Sequence, residues 1–128
     1  MAIRVVQLGS PRGAREGPRI GTVRRPPRGV PKTEFAARDF YDTWLPDLAP
    51  SEALVKQALA ARDERAWAAF VRRYRTEMKA PAAARLLDLL ATLSHTSDFA
   101  LGCYCADERR CHRSVLRALL AERGADLA

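Results

Sequence analysis

The sequence predicts a single-domain α/β protein with a small, mostly parallel sheet flanked by helices. Short β-rich runs lie at both ends of the chain, and helical periodicity fills the middle. The length of 128 residues suits one domain, which buries roughly two-thirds of the surface of its unfolded chain. We therefore treat the chain as one folding unit with a basic N-terminal part, a mainly helical middle and a cysteine-rich C-terminal part.

The N-terminal part, residues 1–32, is predicted to form a strand, a loop and a second strand. Residues 2–8 are rich in β-formers, and residues 19–24 form a second such run. Residues 9–18 between them contain three glycines and two prolines, so they form the loop. Prolines within residues 26–31 end regular structure because proline cannot donate to a sheet ladder.

The middle part, residues 33–97, is predicted to be mainly helical. Residues 35–45 carry four aromatic side chains and are expected to form a helix or an irregular turn. Ser51 after Pro50 is a candidate helix N-cap, and Pro81 suits a first helical turn. Three apolar stripes at helical spacing are interpreted as core: Leu54, Val55, Ala58 and Leu59; Trp67, Phe70, Val71, Tyr74 and Met78; and Leu86, Leu89, Leu90 and Leu93.

The C-terminal part, residues 98–128, is predicted to be a strand at 99–105, a polar loop and a helix at 111–123. All three cysteines lie within residues 103–113. Cys103 and Cys105 are two apart on the strand, so they point to the same face. His112 falls on the apolar stripe of the helix and is expected to face the sheet. Cys111 falls in the first helical turn, where free amides and the helix dipole favour a thiolate.

This cluster has three interpretations. The first is a thiol site in which His112 activates Cys105 or Cys111, while Arg113 and loop amides hold an anion. Cys103 and Arg109 also match the Cys-x5-Arg spacing of tyrosine phosphatases, although one such match in an arginine-rich chain says little.

The second interpretation is a zinc site made of Cys103, Cys105, Cys111 and His112. The usual Cys-x2-Cys pairs are missing, and an adjacent Cys-His pair does not easily chelate one ion, so we expect neither a metal nor another cofactor. The third is structural, with the thiols packing as small hydrophobes. His95, in a polar linker, is expected at the surface.

Charge and composition restrict the partners and the location of the chain. The net charge is +7, and residues 1–32 hold all of it. This predicts an anion site or weak nucleic-acid contact. No apolar stretch suits a membrane span, no secretory signal is visible, and the cysteine count is odd. We therefore expect a cytoplasmic protein with reduced cysteines and no membrane contact. Scarce lysine and abundant arginine and alanine indicate a GC-rich bacterial genome.

Several motifs together resemble a bacterial family, the domain-of-unknown-function family 488 (DUF488), in its short YeaO-like form. Residues 23–29 lie where that family tends to have Asp-Arg-Leu-Trp-Pro-Arg-Gly, with Val23 and Pro26 in place of its Asp and Trp. Three further segments are similar to that family: Trp44 with the Ala-Pro-Ser of 49–51, the aromatic helix 67–77, and the Cys-His-Arg of 111–113. The resemblance implies a compact α/β domain and suggests that Arg24, Arg28 and the Cys-His-Arg end belong to one site.

The sequence therefore predicts a pocket for a small phosphate- or carboxylate-bearing ligand at one edge of the sheet. Its candidate ligand-binding residues are Arg24, Arg28, Gly29 and Arg113, and its candidate catalytic residues are Cys105, Cys111 and His112. Ligand binding without catalysis and thiol-dependent catalysis are both compatible with this set of residues. The alternative is a nucleic-acid-binding accessory protein that uses the basic N-terminal third, although the chain has no recognised nucleic-acid-binding motif.

Overall fold

The computed structural model, which describes residues 1–128, contains a four-stranded sheet in which every pair of neighbouring strands is parallel. The strands are β1 (Ile3–Gln7), β2 (Arg19–Gly21), β3 (Thr43–Trp44) and β4 (Phe99–Cys103). Their spatial order is β1-β4-β2-β3. The predicted α/β class with a small parallel sheet is confirmed, and β4, the last strand in the chain, lies between β1 and β2.

Four α-helices accompany the sheet: α1 (Glu52–Ala60), α2 (Glu64–Glu77), α3 (Pro81–Leu93) and α4 (His112–Glu122). The side chain of Ser51 caps α1 by accepting from the amide of Leu54, as its position after Pro50 predicts. Asp63 caps α2 by accepting from the amide of Ala66, and Pro81 occupies the first turn of α3. No helix is both long enough and apolar enough to cross a membrane.

The main core joins one face of the sheet to the helices. Ile3, Phe99 and Leu101 belong to a cluster of 16 buried residues that also includes Phe70, Tyr74 and the inward side of α4. The opposite face is in close contact with loops: a Cβ on Gly21 would lie 2.4 Å from the Tyr41 ring, and one on Gly102 would lie 2.3 Å from Leu8. These two glycines are required because backbone and side chain approach too closely for any larger residue.

A buried ion pair holds the loops on that second face. The guanidinium of Arg19, fully buried, donates to the Glu16 carboxylate from Nε at 2.5 Å. It also donates to the carbonyls of Ser10 at 2.8 Å and Asp39 at 2.6 Å. Arg19 therefore links the loop after β1 to the segment before β3.

Some bounds and faces of the predicted elements are wrong. The strands predicted at 19–24 and 99–105 end earlier, at Gly21 and Cys103. Residues 35–45 form the irregular turn of the two alternatives, followed by β3, a two-residue strand that is too short to show a pattern.

Three leucines predicted as core are exposed: Leu59 in α1, and Leu89 and Leu93 in α3. The buried face of α3 consists of Ala83, Leu87, Leu90 and Ala91. Two of these four residues are alanines, whose small side chains let α3 approach the core closely. The positions of the leucines alone therefore do not identify the buried face of α3.

Candidate functional site

The candidate site lies where β4 and β2 end at the same edge of the sheet. Gly21 of β2 is paired with Gly102 of β4, so the residues that follow each strand emerge side by side. Cys103 ends β4, and its Sγ lies 3.9 Å from the Sγ of Cys105. The sequence predicted that these two thiols share a side of a strand that runs to residue 105. The strand ends at Cys103, so Cys105 lies in the loop that follows, and the two thiols are in contact there. Cys103 is buried and Cys105 half-buried.

The third thiol enters the cluster from the start of α4. A short 3-10 turn, Glu108–Arg110, closes the loop after β4, and the Asp107 carboxylate accepts from the amide of Arg109 at its start. Cys111 follows in extended conformation as the N-cap of α4, and its side chain is buried. Its thiol therefore lies at the positive end of the helix dipole.

His112 is the first residue of α4 and is oriented by two contacts. Its Nε2 lies 2.7 Å from the backbone carbonyl oxygen of Thr22, which follows β2. Only an N–H can donate to a carbonyl, so Nε2 carries a proton, and Nδ1 is the ring nitrogen that faces the thiol of Cys111. Nδ1 lies 3.7 Å from the Sγ of Cys111. The expectation that His112 points inward to the strand ends is confirmed.

Arg113 completes the Cys-His-Arg segment and stabilises the loop between Cys103 and Cys111 from its buried side. Its side chain is almost fully buried; Nε donates to the Sγ of Cys111 at 3.4 Å, and the guanidinium also donates to the carbonyl oxygen of Cys105. A buried guanidinium beside a sulfur favours the thiolate form of that sulfur.

The three thiols do not ionise alike. Hydrogen bonds from the thiols of Cys103 and Cys105, and then the neighbouring His112, lower the pKa of Cys111 despite its burial. The pKa of Cys103 is raised by its hydrogen bonds with the other two thiols and by burial. Cys111 is therefore the thiol of this cluster that gives up its proton most readily.

A pocket of about 460 Å³ opens onto this cluster. Its inner end is formed by the three cysteines and His112, one wall by α1, and the other by residues 23–25 and Tyr104. Nine of its sixteen lining residues are hydrophobic. The charged lining residues are Arg24, Arg25, Lys56 and Arg110, together with one acid, Glu52. The pocket is thus apolar in its walls and positive in its charge.

The predicted ligand-binding arginines occupy different places. Arg24 lines the pocket, but its guanidinium donates to the carbonyls of Pro46, Ala49 and Pro50. Arg28 and Gly29 are exposed and are not among the residues that line it. Arg109, which with Cys103 matched the Cys-x5-Arg spacing of tyrosine phosphatases, pairs with Asp107 at the surface instead of with Cys103. His95 is exposed, as expected, beside Asp126.

Sequence reasoning missed four residues of the site: Thr22, Arg25, Lys56 and Arg110. Thr22 acts through its backbone carbonyl, which no side-chain pattern reveals. Lys56 lies one turn after Glu52 on α1, and only the packing of α1 places it at the pocket. Arg110 pairs with Glu64 and lies 5.8 Å from the centre of the Trp67 ring, so α2 holds it at the rim.

The cluster also offers ligand atoms for a metal ion. The donor atoms of Cys103, Cys111 and His112 all lie within 4.8 Å of one another, and all three residues are buried. Two thiolates and an imidazole are soft donors of the kind that bind Zn²⁺.

The fold and the site together define a small parallel α/β protein with a thiol-imidazole cluster at the carboxyl edge of its sheet. The chain belongs to the DUF488 family: the model of DUF488-N3a, described as the active DUF488-N3 subclade, matches residues 3–124. The resemblance found in the sequence is thereby confirmed. Comparison with curated proteins and with solved structures gives no match.

Proposed function

We propose that this protein binds a small phosphate- or carboxylate-bearing ligand in the pocket and acts on it by thiol-dependent catalysis. The observation that supports this most is the chain of contacts from Cys111 through His112 to the Thr22 carbonyl, at the inner end of a positively charged pocket. A nucleophile, a base and a group that orients the base are the parts that nucleophilic catalysis needs.

In the proposed step, Cys111 attacks an electrophilic atom of the ligand. The thiol proton passes to Nδ1 of His112, and the Sγ electron pair forms the new bond. The leaving group departs with the electrons of the broken bond and receives the proton back from His112. Thr22 keeps Nε2 protonated and the ring in place, and Cys105, half-buried at the pocket, contacts the bound ligand.

Lys56 is the basic residue best placed to meet the anionic group. Arg25 pairs with Glu52, Arg110 pairs with Glu64, and Arg24 is bound to three carbonyls. Lys56 lines the pocket and forms no ion pair. Arg113 contributes indirectly, through the thiol and the carbonyl that it holds, and the proposal assigns no role to Arg28 or Gly29.

Alkylation with two reagents of equal size tests both halves of the proposal. Iodoacetate carries a carboxylate and iodoacetamide does not, so an anionic pocket favours the first over the second. At pH 7, we expect peptide mass spectrometry to find Cys111 labelled first, with a higher iodoacetate-to-iodoacetamide rate ratio than a free thiol gives. Lys56→Ala should lower the iodoacetate rate by about two- to fivefold, the range of an exposed ion pair. Inorganic phosphate should compete with iodoacetate.

Matched variants separate these effects from general destabilisation. Lys79→Ala removes an exposed lysine outside the pocket and should leave the rate ratio unchanged. His112→Ala should slow labelling by both reagents at least about tenfold, whereas His95→Ala should not. Equal, slow labelling of all three cysteines in the wild-type protein would overturn the proposed chemistry. A rate ratio equal to that of a free thiol would overturn the anionic pocket.

The nucleic-acid alternative has weaker support. Of the eight basic residues in 1–32, Arg12 pairs with Asp39 and Asp42, Arg19 with Glu16, and Arg25 with Glu52. The acids that pair with Arg12 and Arg25 come from outside residues 1–32 and reduce the positive field of this segment, whereas Glu16 is already counted in its charge. Sub-micromolar binding of an oligonucleotide with a steep salt dependence would favour this alternative over the anion pocket.

A further inference from the structure

Two separations between donor atoms of the thiol cluster match the edges of a tetrahedral metal site. Zinc bonds of about 2.3 Å to sulfur and 2.0–2.1 Å to nitrogen give tetrahedral edges of about 3.8 Å between two sulfurs and 3.6 Å between sulfur and nitrogen. The two sulfurs of Cys103 and Cys105 are 3.9 Å apart, and the Cys111 sulfur lies 3.7 Å from Nδ1 of His112. The donor atoms of Cys103, Cys111 and His112 already lie within 4.8 Å of one another. The thiol of Cys105, in contact with that of Cys103, would move toward the ion as the fourth donor.

The local backbone explains how two adjacent residues can share an ion. Cys111 is extended at φ −131° and ψ 151°, and His112 begins the helix, so the chain turns between them. This turn brings Nδ1, the ring nitrogen nearer the backbone, to the sulfur of the preceding residue. Nε2 then donates to the Thr22 carbonyl, and such a contact from the second ring nitrogen is usual for a histidine that ligates a metal.

Burial and charge also suit a soft divalent ion. Cys103, Cys111 and His112 are buried, and no carboxylate lies among the donors. Thiolate and imidazole donors select Zn²⁺ over Mg²⁺ or Ca²⁺. Three thiolates and one divalent ion leave a net negative charge, which the Arg113 guanidinium beside Cys111 offsets. Cys105, the half-buried thiol, is the donor on the pocket side.

We infer that Cys103, Cys105, Cys111 and His112 form a reversible binding site for Zn²⁺ or a similar soft divalent cation, and that the bound ion switches off the proposed thiol chemistry. The metal would occupy the sulfur lone pair of Cys111 and the Nδ1 lone pair of His112, so neither group could then attack or accept a proton. The switching half of this inference rests on the proposed function, whereas the metal site does not.

Cobalt titration of the reduced, chelator-treated full-length chain tests the site directly. We expect sulfur-to-cobalt charge-transfer absorption and the visible bands of tetrahedral Co²⁺, saturating at one ion per chain and lost when Zn²⁺ is added. Cys103→Ser should weaken Co²⁺ binding at least about tenfold, and Cys105→Ser, at the least buried position, should reduce the charge-transfer intensity. His95→Ala removes the only other histidine and should change neither property.

The two proposals fail in different ways. Absence of the charge-transfer band in the folded wild-type chain, or a band unchanged by both serine variants, would overturn the metal site and leave the alkylation result to decide the thiol chemistry. Zn²⁺ binding without protection of Cys111 from iodoacetate would overturn the switch. If Co²⁺ binds but the metal-free chain shows no fast cysteine, the metal site stands and the catalytic proposal falls.

Discussion

Removal of the Arg19 guanidinium should destabilise the fold more than removal of any surface arginine. Arg19→Met keeps much of the aliphatic stem but leaves the Glu16 carboxylate buried without its partner. It also removes the donors to the carbonyls of Ser10 and Asp39. Breaking one side of a buried ion pair costs about 3–5 kcal/mol, a large part of the ~5–15 kcal/mol that stabilises a typical domain.

Urea unfolding followed by circular dichroism measures this loss. Arg123→Met is the matched control, because Arg123 pairs with the mostly exposed Asp88 and such pairs contribute only about 0–1 kcal/mol. The double variant Arg19→Met/Glu16→Gln should recover part of the loss, since no carboxylate then remains buried and unpaired. If Arg19→Met is no more destabilising than Arg123→Met, the buried pair does not hold the two loops, and this reasoning is wrong.

Two further predictions concern acid stability and the tight packing on the sheet. The hydrogen bond from Arg19 lowers the pKa of Glu16 below its ordinary value of 4.5, so its contribution to stability is present above pH 4.5 and is lost as the pH falls through the lowered pKa. The urea concentration at the unfolding midpoint should therefore decrease as the pH is lowered below 4.5, and this decrease should be less steep in Glu16→Gln. Equal decreases in the two proteins would contradict this prediction. Gly102→Ala should lower the free energy of unfolding by about 1–3 kcal/mol because its Cβ would overlap Leu8. Gly29→Ala is the control: its Cβ would meet no neighbouring atom, so only the positive φ of this position disfavours the alanine. Equal losses in the two variants would show that Leu8 moves aside.

Sequence periodicity predicted the parts of the site that depend on local geometry. The apolar stripe of α4 turns His112 inward, as predicted. The predicted proximity of Cys103 and Cys105 is also observed, although β4 ends at Cys103 and the loop after it, rather than the strand repeat, positions Cys105. The Thr22 carbonyl was beyond such reasoning, because its place depends on β2 pairing with β4 through residues far apart in the chain. Contacts made by backbone atoms across a sheet leave no mark in the side-chain pattern.

A charge count along the chain leaves out ion pairs between distant segments. Residues 1–32 hold an excess of seven positive charges, in which Glu16, the partner of Arg19, is already counted. Arg12 and Arg25 pair with acids from later segments, which the count omits. A count along the chain cannot show which charges meet after folding. Lys56, from the electrically neutral remainder of the chain, is the lining lysine that stays unpaired.

The Cys-His-Arg segment concentrates three effects on one sulfur because it spans the start of a helix. Cys111, as the N-cap, lies at the positive end of the helix dipole. His112 places Nδ1 beside the same sulfur, and Arg113 approaches it from the buried side. All three contacts favour negative charge on Cys111, and both a nucleophile and a metal ligand require that charge. The same geometry therefore supports both proposals, and the occupancy of the Cys111 and His112 lone pairs distinguishes an active thiol from a metal-bound one.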